Sequence, residues 1–163
     1  MGHESRIPRL PPEIAAYIAG LIDGEGTITL TRMHANETRR LVVSIANTEI
    51  QILQFVIAQV CAGKITRKST TSDRHTPSFC YSITSQQALA LLSQITPYLL
   101  SYKRRRAEFA LARYKALTPR NGKYTPELLA ERHEFVQSFL NLKSVREVAG
   151  SYRLIHSHQP SLV

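Results

Sequence analysis

The sequence is poor in acidic residues, nearly without cysteine and free of long apolar runs, and each shortage excludes something. Its 163 residues carry 12 Asp and Glu against 21 Lys and Arg, giving a net charge of +9 and a pI near 9.9. That balance favours a polyanionic partner, nucleic acid before a membrane surface. Two cysteines, Cys61 and Cys80, form no CxxC pair. Their apolar or strand-like surroundings predict buried or half-buried thiols in a reducing compartment. No stretch approaches the length of a membrane-spanning helix. The first ten residues lack the apolar segment of a secretory signal, and Arg6 stands where N-myristoylation would need Ser or Thr. The expectation is a soluble intracellular protein that is not secreted. It has one domain over residues 11–141, an N-terminal arm at 1–10 and a poorly ordered tail at 142–163.

What the chain does have is concentrated in Tyr17-Ile18-Ala19-Gly20-Leu21-Ile22-Asp23-Gly24-Glu25-Gly26. Pro11 and Pro12 suit a helix start, and Glu13 complements the positive end of the helix dipole. Ile14, Tyr17, Ile18, Leu21 and Ile22 follow at helical spacing. Ala16 and Gly20 share one face, along which another backbone can approach closely, as small residues allow in membrane helices. In a run this short the contact is one between soluble helices. Gly24 and Gly26 are expected to end the helix through a glycine cap. Asp23 and Glu25 then stand at the helix end that disfavours negative charge. Either they border a solvated turn, or they and the adjacent carbonyls offer the hard oxygen donors that Mg²⁺ prefers.

After Gly26 the period changes to two. Ile28 and Leu30, then Leu41, Val43 and Ile45, alternate with hydroxyls, an arginine and Met33 around a polar turn at His34 to Glu37, which predicts a β-hairpin. Its polar face is either solvated or, as a ribbon in a major groove, able to read base edges. Asn47 or Thr48 caps a helix from Glu49 to Ala62 that Gly63 ends. A second hairpin pairs Lys64–Ser69 with Phe79–Thr84 across a polar loop. Arg67, Lys68, Arg74 and His75 make it basic and suited to phosphate contacts. Ser85 caps a further helix that Pro97 interrupts. The basic run Ser101-Tyr102-Lys103-Arg104-Arg105-Arg106 opens a helix continuing through Leu117, and Thr125-Pro126-Glu127 starts the last one. His156 and His158 have no companion ligands, so no metal site is expected in the tail, where Lys143, Arg146 and Arg153 could touch nucleic acid.

Ile18 to Gly26 resembles the signature of the LAGLIDADG homing endonucleases. Ala19, Gly20, Leu21, Ile22, Asp23 and Gly26 are identical to it, and Ile18, Gly24 and Glu25 are substitutions its pattern accepts. The resemblance covers residues 10–141. It implies an α+β fold, with an αββαββα core whose curved antiparallel sheet is a DNA saddle, and an extra C-terminal helix. It further implies an intron-encoded endonuclease that makes site-specific double-strand breaks by metal-dependent phosphodiester hydrolysis. Mg²⁺ is the implied cofactor, with Mn²⁺ substituting and Ca²⁺ supporting binding without cleavage. Since only one motif is present, the implied partners are double-stranded DNA and a second copy of the chain, joined through Ala16, Ala19, Gly20 and Asp23 over a near-palindromic site.

The same resemblance implies the site residues. Glu25 and the Gly24 carbonyl bind metal, and Asn47 and Gln51 order the attacking water. Lys103 stabilises charge at the phosphate, with Arg104 as a competing candidate. The sheet positions implied for DNA are Thr29, Thr31, Met33, Thr38, Arg40 and Ser44, followed by Thr66, Lys68, Ser78, Cys80 and Ser82. The family's range implies an organelle (chloroplast or mitochondrion) or a prokaryotic cytoplasm. The fold also serves intron RNA maturases, for which intron RNA is the partner, and non-cleaving DNA-binding regulators; the intact Glu25 speaks against the latter.

Overall fold

The computed structural model describes residues 7–32, 34–68 and 76–143. Helix α1 (Pro12–Glu25) begins where the two prolines predict, with Pro11 at the N-cap. It runs through Gly24 and stops at Gly26, whose backbone is extended (φ −103°, ψ 174°) and not left-handed. Space is what requires glycine at this position. A Cβ on Gly26 would lie 2.5 Å from the Cα of Ile22 and 3.0 Å from the carbonyl oxygen of Ser44. Both are backbone atoms, so any side chain would wedge the helix off the sheet.

The chain continues as β1 (Gly26–Thr31), β2 (Arg40–Asn47), α2 (Ile50–Val60), β3 (Lys64–Arg67), β4 (Phe79–Thr84) and α3 (Ser85–Ile95). A 3₁₀ turn (Thr96–Tyr98) leads to α4 (Tyr102–Arg113) and α5 (Pro126–Asn141). The four strands form one antiparallel sheet in the order β1-β2-β4-β3. Ile28, Leu30, Leu41, Val43, Ile45, Tyr81 and Ile83 fill one face and are all buried. Against them pack Ile18, Ala19 and Ile22 of α1, Leu53 and Val56 of α2, Leu91 and Leu92 of α3, Ala107 and Ala110 of α4, and Phe135 and Phe139 of α5. The alternation read from the sequence thus holds residue for residue, because a strand pointing every second side chain at a helix layer can bury only that set.

Element ends differ more. α2 is shorter than Glu49–Ala62. Glu49 stands at its N-cap, with Asn47 Oδ1 accepting the Glu49 amide at 2.8 Å. Its end falls at Val60, where Cys61 adopts the left-handed conformation (φ 54°) that was expected to need Gly63. Cys61 is consequently turned outward and exposed, not buried, while Cys80 is half-buried as expected. Ser85 does not cap α3. It is the first helical residue, at φ 53°, and Thr84 holds the cap position. Ser101 and Thr125 do cap: their hydroxyls accept the amides of Lys103 and Leu128. Among the described residues, no helix is long and apolar enough to cross a membrane. Ser69, Arg74, His75 and the tail beyond Lys143 lie outside the described residues.

Gly26→Ala is expected to cost about 1–3 kcal/mol, the usual penalty for overpacking against unyielding atoms. A urea-denaturation midpoint unchanged from wild type would contradict the close approach.

Candidate functional site

Two helix ends hold each other at the centre of the molecule. Lys103, one residue after the first of α4, is only 8 % exposed. Its ammonium donates to the carbonyls of Ile22 (2.7 Å) and Asp23 (2.9 Å), the last turn of α1. A cation there joins the Gly26 amide on the Ile22 carbonyl, adds a bond to the Asp23 carbonyl and complements the dipole. In return the Asp23 carboxylate accepts the amides of Leu100 (2.8 Å) and Ser101 (3.3 Å) and the Ser101 hydroxyl, all leading into α4. Burial raises the Asp23 pKa, but the Ser101 hydroxyl, the two amides and Lys103 outweigh it and hold the carboxyl below its ordinary value. For Lys103 burial dominates and lowers the pKa. The charge of Asp23 opposes that shift, Arg106 adds to it, and Glu25 opposes it. Glu25 itself is exposed, at the rim of this junction.

The basic run at 101–106 is therefore not one phosphate-facing patch. Lys103 and Arg106 face inward and are buried. Arg104 is exposed and ion-paired with Glu108 at 3.0 Å, so it does not compete with Lys103 for a place beside Glu25. Arg105 reaches the Lys143 carbonyl. A helical period explains the split: residues three apart share the inward face.

The second part of the site is the open face of the sheet, away from the helices. Strand register aligns Thr27 with Ser44, Ser44 with Ser82, and Ser82 with Lys64 in one row. Thr29, Val42 and Thr84 form the next row towards the β1–β2 turn, and Thr31 with Arg40 the outermost one. On the other side lie Ala46, Cys80 and Thr66. Of the sheet positions singled out in the sequence, Thr29, Thr31, Arg40, Ser44, Thr66, Cys80 and Ser82 all fall on this face. Lys68 and Ser78 follow on from it, joined by the Lys68 amide and the Ser78 carbonyl (2.8 Å). Thr38 is exposed in the turn before β2. Met33 lies outside the described residues.

Asn47 closes β2 two residues beyond Ile45, the partner of Gly26, so it borders the end of α1. Gln51 is exposed in the first turn of α2. The third part of the site is the outward face of α1. Ala16, Gly20 and Gly24 are exposed, flanked by Tyr17, which is 46 % exposed and meets Phe55 edge-on at 5.5 Å. A Cβ added to Gly20 or Gly24 would touch nothing within 4 Å. Inside a helix each glycine costs about 1 kcal/mol relative to alanine, and nothing among the described residues asks for it. Ala19 corrects the expected interface: it is 0 % exposed, because its methyl points into the chain's own core. The side chain of Asp23 is likewise spent on the α4 entry.

No protein-family model and no curated protein matches the sequence. Solved structures do. The homing endonuclease I-CvuI, in complex with its target in the presence of calcium, superposes with a TM-score of 0.65 over 83 % of this chain and 85 % of that one, at 17 % identity. An archaeal intron-encoded homing endonuclease complexed with DNA gives 0.63, over 80 % and 84 %, at 15 % identity. The chain has the LAGLIDADG homing endonuclease fold. The LAGLIDADG meganuclease I-AabMI, bound to uncleaved DNA, gives 0.58 at 19 % identity, over 76 % of this chain and 44 % of its own.

Within this fold the structure brings Glu25, Lys103 and Asn47 to one end of α1. Sequence reasoning missed Arg106, Arg132 and Tyr114. Arg106 donates to the Ile28 and Leu142 carbonyls, and Arg132 is 2 % exposed. The signal was there for Arg132: it occupies the stripe that Leu128, Phe135 and Phe139 define on α5.

A depressed carboxyl pKa contributes stability above the ordinary aspartate value that is lost as the pH falls through the lower, folded value. Wild type should therefore lose stability as pH drops below about 3.9. The same acid titration of Asp23→Asn should be flatter. Parallel curves would contradict the Asp23 cap.

Proposed function

We propose that the chain is a site-specific endonuclease for double-stranded DNA. It acts as a homodimer with Mg²⁺ on a near-palindromic site and belongs to the intron-encoded kind. The observation that carries this reading is Glu25, an exposed carboxylate where the open sheet face meets the outward face of α1. The DNA complexes of the structural neighbours support a duplex partner, and I-CvuI complexes obtained with calcium and with magnesium support a divalent cation.

Among the described residues, no three His, Cys, Asp or Glu gather into a metal cage. That suits Mg²⁺, which keeps several waters and takes one or two carboxylates together with substrate phosphate. Glu25 and the Gly24 carbonyl are the donors assigned to it. When bound there, the ion lowers the pKa of an attacking water and offsets charge on the leaving oxygen. Lys103 spends two of its three donors on α1. The third is left for a phosphate oxygen beside Glu25, where positive charge offsets the charge that develops in cleavage. Asn47 uses its carbonyl oxygen on Glu49, which leaves its NH₂ group, with the exposed Gln51 amide, to orient water.

Gly20 and Gly24 support the second copy. Two α1 helices crossing at these glycines would bring their backbones close and set two Glu25 carboxylates side by side, one for each strand. Gly20→Leu should leave the chain folded, since a Cβ there meets nothing within 4 Å among the described residues, yet shift its sedimentation from dimer to monomer. A dimer surviving this change would place the interface elsewhere.

The activity is tested with a randomised duplex library, sequenced as bound and as cleaved molecules. Wild type should cut one near-palindromic site in Mg²⁺ and bind without cutting in Ca²⁺. Glu25→Gln should bind the same site and cut at least about a hundredfold more slowly, the scale of losing a charge-stabilising group. Normal cutting by Glu25→Gln would refute the metal assignment, and binding without cutting by wild type would make the chain a regulator.

A further inference from the structure

The β1–β2 hairpin projects past the rest of the sheet. β4 reaches only as far as Val42, which pairs with Thr84, and β1 is an edge strand. Backbone groups left unpaired by this overhang are taken up by side chains. The Leu41 amide donates to the Tyr114 hydroxyl at 3.1 Å. Arg132 Nη2 donates to the Arg39 carbonyl at 2.6 Å; nearer the end of α1, Arg106 Nη1 donates to the Ile28 carbonyl on the free edge of β1 at 2.9 Å. Arg39 folds back on its own hairpin to the Leu30 carbonyl, at 3.1 Å. Charged side chains often blunt an exposed sheet edge, but Arg132 and Tyr114 are buried, at 2 % and 1 % exposure.

Arg132 is an expensive choice. Its guanidinium lies 4.5 Å from the Tyr114 ring centroid and 5.3 Å from that of Phe135, with Nη1 on the Thr118 hydroxyl at 3.0 Å. Its Nε is buried with no hydrogen-bond partner among the described residues. Leucine in the same stripe would attach α5 to the sheet without burying a charge or an unsatisfied donor. What arginine adds is a grip on the Arg39 carbonyl, where the turn enters β2, three residues beyond the last β4 pairing at Val42. Tyr114 grips the same stretch two residues later.

The geometry points to Arg132, with Tyr114, as a pair of positioning residues that aim the hairpin tip for base reading. This rests on the DNA-binding reading above. From Gly26 at the end of α1, β1 runs away from Glu25, so Arg32, Thr38 and Arg40 lie at the far end of the hairpin. They meet the outer base pairs of each half-site, whereas Thr27 and Ser44 meet the inner ones. A loosened tip therefore loses outer-position preference while the cleavage centre stays intact.

The test compares wild type, Arg132→Leu and Tyr114→Phe, the last of which removes only a hydroxyl and keeps the ring. Amide exchange is followed in the free proteins, and the randomised duplex selection is repeated with each. Exchange at residues 34–41 should quicken about tenfold in both variants, the factor for losing one buried hydrogen bond, with β4 unchanged. The selected sequences should keep their inner preferences and lose the outer ones. A merely structural role would weaken binding to every sequence alike and leave the preference profile intact, which overturns the inference. Unchanged exchange at 34–41 overturns it as well. If wild type selects no duplex at all, the DNA reading fails and this inference with it, whatever the exchange data show.

Discussion

Lys103 and Asp23 cap each other's helices: the ammonium takes the last carbonyls of α1, and the carboxylate takes the amides leading into α4. Hydrogen bonds to charged groups are worth about 1.5–3 kcal/mol each, more than neutral ones. Two elements 80 residues apart in sequence are thereby fixed at one point. Gly26 completes the joint from the other side by letting the sheet approach the helix end to backbone contact. Glu25 lies between these constraints and is itself unconstrained by any of them. A carboxylate held on a rigid frame yet left exposed is poised for something outside the chain.

The same frame divides the protein into faces with separate duties. Helices cover one side of the sheet, and the other presents rows of hydroxyls with Arg40 and Lys64 at its margins. α1 belongs to both arrangements, with Ile18, Ala19 and Ile22 in the core and Ala16, Gly20 and Gly24 outside. The contrast among its glycines separates their reasons. Gly26 is needed by the fold, whereas a Cβ on Gly20 or Gly24 would meet no atom within 4 Å among the described residues. At the far end of the sheet the overhanging hairpin is steadied by α4, α5 and their connection, so reading and cutting would be controlled from opposite ends of β1.

Much of this was legible in the sequence because period carries it. The alternation in β1 and β2 names the buried face correctly at every position, and the prolines and Thr125 mark helix starts. The motif itself locates Glu25. What could not be read is what depends on partners distant in sequence. Ala19 and Gly20 are adjacent and both small, and only the direction of the core assigns one inward and the other outward. Lys103 and Arg104 are equally basic, yet one caps α1 and the other pairs with Glu108. Cys61 reads as the end of an apolar helix but takes the left-handed residue's outward turn. Arg132 stands in the apolar stripe of α5, but its grip on the Arg39 carbonyl depends on a partner 93 residues away.

The central claim is that each protomer's Glu25 serves one strand of a duplex, the two protomers being joined through α1. It is tested most directly by mixing wild-type and Glu25→Gln chains, allowing subunits to exchange, and resolving intact, nicked and linear products of a supercoiled plasmid carrying the selected site. Mixed dimers should nick a single strand, so nicked circles should peak near equal mixing while linear product declines. If linear product falls only in proportion to the wild-type fraction and no nicked species accumulates, Glu25 does not act once per strand.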